Sequence, residues 1–351
     1  MRWFKSARAH SVTPRFWTET SPSHRFVGTE PFAVDTDRYL PLPAVLWDME
    51  LQSHDVEARD GATLNCWERS PADADGAVLF VHGSITNARA LFATPVEGDD
   101  SYSWVHAASD LGRAAFALDV RGYGHSDLPP EMEEPPDSNG PPVRADQAAD
   151  DIGDALAFVR EEYGTVHLVG VSWGCHTCGR LLERDDPDLA SLTMVAPVYK
   201  PRYSLEEGMA ALGLESIDVA WYTQDRETVR ERQGGGDALF EAIWRAQVES
   251  NQGRDETTYV AQTGALADWA ASCRGNPVWD PAAIDVPTLV IRGTEDAIAD
   301  RPGSLDHFDE MAVPDDRADY VEIEGADHYL MHSDRRQDFF AVVDRFQNGI
   351  S

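Results

Sequence analysis

The sequence predicts an α/β fold, a mostly parallel sheet flanked by helices and interrupted by a helical insertion, on three observations. Short apolar, β-branched runs at 77–81, 165–171, 287–293 and 320–323 have the continuous hydrophobicity of strands buried on both faces. Gly170-Val171-Ser172-Trp173-Gly174 follows the second run and opens onto a helix-compatible stretch, the pattern of a tight strand-to-helix turn. From the Pro197 region to about Pro277 the strand rhythm stops. There, residues 199–214, 217–233, 237–252 and 256–272 carry apolar positions at spacings of three and four, which predicts helices.

At 351 residues and 42% hydrophobic content the chain can bury one large core. Residues 46–197 and 278–351 are expected to form it. Residues 198–277 form the insertion, and 1–45 a proline- and aromatic-rich extension that wraps the surface or meets a second subunit. Residues 128–143, with Glu131, Glu133, Glu134, Asp137 and several prolines, read as an exposed, mobile loop near the rim of the site.

A bare G-x-S-x-G arises by chance in roughly one chain in ten of this length, so the strand before it and the helix after it give the match its weight. Such a turn exposes a serine hydroxyl beside backbone donors and a base, and its strained backbone admits only small flanking residues. Ser172 is therefore the candidate nucleophile. The ionisable candidates downstream lie just past strand carboxyl ends, where open α/β sheets bind ligands: Glu295, Asp296 and Asp300 after 287–293, Asp327 and His328 after 320–323. His328 is the expected base. His307, in a helical pattern over 304–311, and His332 are read as structural or solvated.

Four blocks in order resemble the α/β-hydrolase superfamily: Val81-His82-Gly83-Ser84, the segment 118–127, Gly170 to Gly174, and the pair Gly293 to Asp296 with Gly325 to His328. The resemblance spans about residues 48–347. It implies an eight-stranded, mostly parallel sheet with an inserted helical cap, and a triad in the chain order Ser172, Asp296, His328. It further implies an oxyanion hole made by the Trp173 amide and by Ser84, with Ile85 as the alternative donor. His82, Asp119 and His125 are expected to be structural. Trp221, Tyr222, Trp244, Trp269 and Ile85 are candidates for lining an acyl pocket. Ser-Trp-Gly at the turn is similar to proline iminopeptidases, whose oxyanion loop usually reads His-Gly-Gly-Pro-Gly where this chain has His82-Gly83-Ser84-Ile85-Thr86.

The expected activity is hydrolysis of a carboxylic ester or thioester through an acyl-enzyme intermediate, on a small-molecule acyl substrate and without cofactor or metal. Aminopeptidase or amidase action, for which Glu206, Glu207 or Glu215 would hold an ammonium group, and acyl transfer remain open on the same residues. So does a receptor-like role with little turnover.

Cys66, Cys175, Cys178 and Cys273 are expected to be free thiols, the Cys175–Cys178 spacing having no second pair to complete a zinc site. No signal peptide or membrane-spanning run is visible, which predicts a cytoplasmic chain that can associate as a homo-oligomer. The net charge of -33, from 62 acidic and 29 basic residues, makes nucleic acid and anionic lipid improbable partners. Lys5 and Lys200 are the only lysines, and carboxylate-rich, lysine-poor surfaces resemble those of proteins from salt-loving organisms. Self-repulsion of this size is screened over about 8 Å at physiological salt and much farther in dilute buffer. Lowering ionic strength to ~10 mM is therefore expected to reduce the melting temperature and the activity; a thermal melt that does not move with salt would refute this.

Overall fold

The computed structural model describes residues 24–27, 51–232 and 236–350, and what lies outside them includes the rest of the 1–45 extension. The strands are β1 (His24–Val27), β2 (Gln52–Glu57), β3 (Thr63–Arg69), β4 (Ala77–Val81), β5 (Ala114–Asp119), β6 (Val166–Val171), β7 (Ser191–Val195), β8 (Trp221–Asp225), β9 (Gly253–Asp255), β10 (Thr258–Gln262), β11 (Thr288–Gly293) and β12 (Ala318–Ile323). The α-helices are α1 (Ala88–Phe92), α2 (Trp104–Asp110), α3 (Ala145–Arg160), α4 (Trp173–Asp185), α5 (Leu205–Leu212), α6 (Arg226–Arg232), α7 (Asp237–Val248), α8 (Gly264–Cys273), α9 (Arg301–Glu310) and α10 (Arg336–Gly349).

The main sheet runs β1-β12-β11-β7-β6-β4-β5-β3-β2. The pairs from β5 through to β1 are parallel, while β3 is antiparallel to both β2 and β5. The four apolar runs of the sequence are β4, β6, β11 and β12, and the resemblance implies eight strands where the sheet has nine. The ninth, β1, extends the β12 edge.

Alternation along the buried strands builds two cores. Leu79 and Val81 of β4, Leu168 of β6 and Val290 of β11 face Ile152 and Leu156 of α3 and Leu181 of α4. Val78 and Phe80, Val171, Leu289 and Ile291 face Phe92, Trp104 of α2, and Phe339 and Phe340 of α10. With both faces covered, no polar face is needed, which is why these strands read as unbroken apolar runs.

From β4 the chain steps to β5 on one side and returns to β6 on the other, so the sheet switches direction between β4 and β6. A crevice opens at the carboxyl ends of strands at such a point. Val81 is in register with Gly170, which puts the loop after β4 against the turn after β6.

The segment between β7 and β11 departs from the expected run of helices. α5, α6, α7 and α8 are present, but 221–225 and 258–262 are strands in a small antiparallel sheet ordered β8-β10-β9. Five-residue stretches such as these are too short for periodicity to separate helix from strand, and cross-strand pairing decided the outcome. The 128–143 loop is exposed at Glu133, Glu134 and Asp137, as expected, while Met132 is buried, the Trp221 indole N–H donates to the Glu134 carbonyl at 2.9 Å, and the Ala220 amide donates to the Pro136 carbonyl at 2.8 Å. It is pinned to β8.

All four cysteines are free, and three of them are buried. Among the described residues no helix is long and apolar enough to cross a membrane.

The glycines of the turn are forced by close backbone approach. A Cβ on Gly170 would stand 2.5 Å from the Gly174 carbonyl oxygen, and one on Gly174 would enter the Val81 carbonyl. Neither obstacle is a movable side-chain end. Gly174→Ala is expected to cost on the order of 3 kcal/mol in urea unfolding, whereas Gly140→Ala, which meets nothing within 4 Å, should stay near wild type. Equal stabilities would refute this account.

Candidate active site

Ser172 is the residue between β6 and α4, with φ 55° and ψ −112°. A left-handed φ in a residue with a Cβ costs about 1–3 kcal/mol, so the surroundings must hold it. They do so through the Ser172 amide, which donates to the Val195 carbonyl of β7 at 2.9 Å, and the Ser172 carbonyl, which accepts the Cys175 amide at 2.9 Å. The side chain is half-buried and lies against Gly83, where a Cβ would come within 3.1 Å of the serine Cβ.

Asp296 and His328 arrive on loops stitched to each other. Gly293 ends β11 without a side chain, and a Cβ there would enter the Ala326 carbonyl. The Thr294 amide donates to the Ile323 carbonyl at 3.0 Å, the Glu295 amide to the Ala326 carbonyl at 2.9 Å, and the Gly325 amide to the Thr294 hydroxyl at 2.9 Å. Across that seam the His328 Nδ1–H donates to Asp296 Oδ2 at 2.9 Å, both residues being buried. The other carboxylate oxygen accepts the Ile298 and Ala299 amides at 2.8 and 2.9 Å.

The competing groups are engaged elsewhere. Glu295 is exposed, Asp300 caps α9 by accepting the Gly303 amide, and Asp327 accepts the Tyr329 amide. His332 Nε2 lies 3.0 Å from the Thr94 hydroxyl, and His307 is buried in α9. No hydrogen bond joins the Ser172 hydroxyl to His328 among the described residues; such bonds commonly tighten only when substrate binds.

Beneath Asp296 lies a buried ion pair that the sequence reading missed. Arg292 and Glu322, each 2% exposed, are register partners on β11 and β12 and meet at 2.6 Å. The same guanidinium donates to the Asp296 and Ala299 carbonyls, both at 2.9 Å, fixing the Asp296 loop at two points. Arg301 meets the far oxygen of Glu322 at 3.0 Å. An arginine and a glutamate inside two otherwise apolar runs were the available signal, since a buried charge needs a partner.

Trp173 is the first residue of α4, and the Ser84 amide lies in the loop after β4. Among the described residues neither backbone N–H has an intramolecular acceptor. The first amide of a helix has none by construction. His82 is structural as expected: Val120 N–H donates to Nε2 at 3.1 Å, so the proton is on Nδ1, which donates to the Gly83 carbonyl at 2.7 Å. Burial holds its imidazole below the ordinary range, hence neutral. Asp119 is likewise structural, accepting from Asn65, from the Trp67 indole and from the Ala88 and His125 amides.

The predicted pocket residues are dispersed. Trp269 is buried and donates to the Tyr203 hydroxyl at 3.1 Å, which in turn donates to the Ile298 carbonyl at 3.0 Å, beside Asp296. Tyr222 is half-buried against the same apolar cluster as Trp269. Trp244 packs with Phe240 and Tyr259, and Ile85 lies against that group. Trp221 points its indole at the 128–143 loop. Asp268 of α8 is a further buried group without a signal in sequence: it accepts the Trp173 indole N–H at 2.9 Å and the Ala145 amide at 2.8 Å. Burial pushes its carboxyl up, against the pull of Arg144.

The family described as the alpha/beta hydrolase family matches residues 78–342. The chain belongs to that family. This α/β-hydrolase has the sheet, the turn at Ser172 and the strand-end loops in the order the resemblance implies. An esterase from Exiguobacterium antarcticum superposes with a TM-score of 0.61 at 15% identity, covering 85% of this chain and 100% of the other. E-2-(Acetamidomethylene)succinate hydrolase matches at 0.60 and 20% identity over 85% and 100%. A thermophilic esterase from Thermogutta terrifontis matches at 0.54 and 17% over 86% and 99%. At these identities the likeness is one of fold. A comparison with curated proteins finds no match.

Burial alone would lower the His328 pKa, but the charge of Asp296 and its hydrogen bond, with Asp327 adding, outweigh it and hold the imidazole above its ordinary value. NMR titration is expected to show His328 titrating above about 6.5. In Asp296→Asn only the smaller pull of Asp327 opposes burial and the midpoint should fall below the wild-type one; an unchanged midpoint would show that Asp296 is not the cause.

Proposed function

We propose that this α/β-hydrolase is a serine hydrolase that cleaves a carboxylic ester or thioester through an acyl-enzyme intermediate. The observation that carries the reading is the buried Asp296–His328 pair on the same rim as a serine held in a strained turn. The Ser172 hydroxyl attacks the acyl carbonyl as His328 Nε2 takes its proton, and Asp296 holds the Nδ1–H tautomer and stabilises the imidazolium. The Trp173 and Ser84 amides receive the negative oxygen of the tetrahedral intermediate, each such donor being worth roughly 2.7–4 kcal/mol in the transition state. His328 then protonates the departing alcohol or thiol. Water deprotonated by the same imidazole attacks the acyl-serine, releasing the acid and restoring the hydroxyl.

Residues 198–277 act as a cap in this reading. The Trp269–Tyr203–Ile298 chain of hydrogen bonds supports it by tying the insertion to the acid's loop.

A fluorophosphonate is expected to label the wild type at Ser172 and not Ser172→Ala. Hydrolysis of a p-nitrophenyl ester should fall by roughly 10²–10⁴-fold in His328→Ala. Because the base must be neutral, the wild-type rate should rise with pH through a midpoint above about 6.5, the direction of the His328 shift. Full turnover by Ser172→Ala would end this reading.

A further inference from the structure

Ile85 is a second strained point at the site, a β-branched residue at φ 73° in the loop that carries the Ser84 amide. Such a conformation persists only where the surroundings over-determine it. Within the loop the Thr86 amide donates to the Ser84 carbonyl at 2.8 Å, closing a γ-turn on Ile85, and a further restraint comes from the insertion. Gln247 of α7, 1% exposed, spans the loop: its Nε2 donates to the Ile85 carbonyl at 2.9 Å and its Oε1 accepts the Asn87 amide at 3.0 Å. Asn87 answers from the other side, its Nδ2 donating to the Ala246 carbonyl at 3.0 Å while its Oδ1 caps α1 by accepting the Ala90 amide at 2.9 Å. Fully buried Gln252 adds a longer donation to the Ile85 carbonyl at 3.5 Å, and accepts the Gly124 amide at 3.0 Å.

We propose that Gln247, with Asn87 as its counterpart, is a positioning residue of the oxyanion hole, so that the insertion aims the Ser84 amide at the reacting oxygen as well as covering the site. This rests on the serine acyl-transfer reading above. An oxyanion donor works by standing ready where charge develops, and a loop relaxed at Ile85 swings the neighbouring amide off that point. The ground-state ester, whose carbonyl carries little charge, feels the change far less.

Three variants test it. Gln247→Glu keeps the acceptor for Asn87 and replaces the donor facing the Ile85 carbonyl with an oxygen. Gln247→Met removes both bonds. Asn87→Asp keeps the cap of α1 and removes only the donor to Ala246. In each, kcat on a p-nitrophenyl ester and affinity for a trifluoromethyl ketone, whose hemiketal oxygen imitates the oxyanion, are expected to fall together by roughly 10- to 100-fold. KM should stay within about twofold, a split that a loss of general packing would not produce. Ketone affinity equal to that of the wild type, or a loss carried by KM, would overturn the proposal. If the Gln247 variants show no cooperative melting, Asn87→Asp decides it alone. A wild type that neither hydrolyses esters nor reacts with fluorophosphonate would sink the serine reading and this inference with it. A reactive wild type with unimpaired variants would sink this inference only.

Discussion

The rim of the site depends on two places where no side chain fits. At Gly170 and Gly174 the backbone of the turn meets itself and the end of β4, and that contact lets α4 start directly on the strand with Ser172 thrust outward. Parallel register then fixes what stands beside it. Because β4 pairs with β6, the His82-Gly83-Ser84 loop ends against the serine, and because β11 pairs with β12, the loops carrying Asp296 and His328 leave the sheet side by side.

Rigid support under these loops comes from polar groups buried deeper than Asp296 and His328. Arg292 grips the carbonyls on both sides of the Asp296 turn and is neutralised by Glu322 one strand away. His82 pins the loop after β4 to the end of β5 through Val120. Both arrangements use side chains whose burial would be costly if unpaired, so their hydrogen bonds and the loop geometry stand or fall together. On the opposite side, Gln247, Gln252 and Asp268 bring the insertion into the same network. The insertion is thus part of the site's scaffold.

Much of this was legible in the residues. The central strands announced themselves because a strand covered on both faces has no polar side to interrupt it, and the turn at Ser172 did so because its sterics exclude anything but glycine at two positions. Asp296 was harder. Glu295, Asp300 and Asp327 carry the same chemistry within a few residues, and what separates them is which carboxylate turns inward across the seam between two loops. The insertion departs from its expected helices at β8 and β10, whose five-residue segments hold a period too brief to tell helix from strand. Gln247 left no mark at all, since an amide bonding a backbone carbonyl some 160 residues away looks, in sequence, like any polar residue on a helix.

The sequence by itself determined the central strands, the tight turn at Ser172 and the order of the ionisable groups along the chain, because these follow from local sterics and from whether a segment is covered on one face or two. Only the tertiary structure decided which carboxylate meets His328, that Arg292 and Glu322 lie beneath it, and that Gln247 of the insertion bonds the loop after β4. Those outcomes depend on distances between residues far apart in the chain, and such distances are set by strand order and packing rather than by any local pattern.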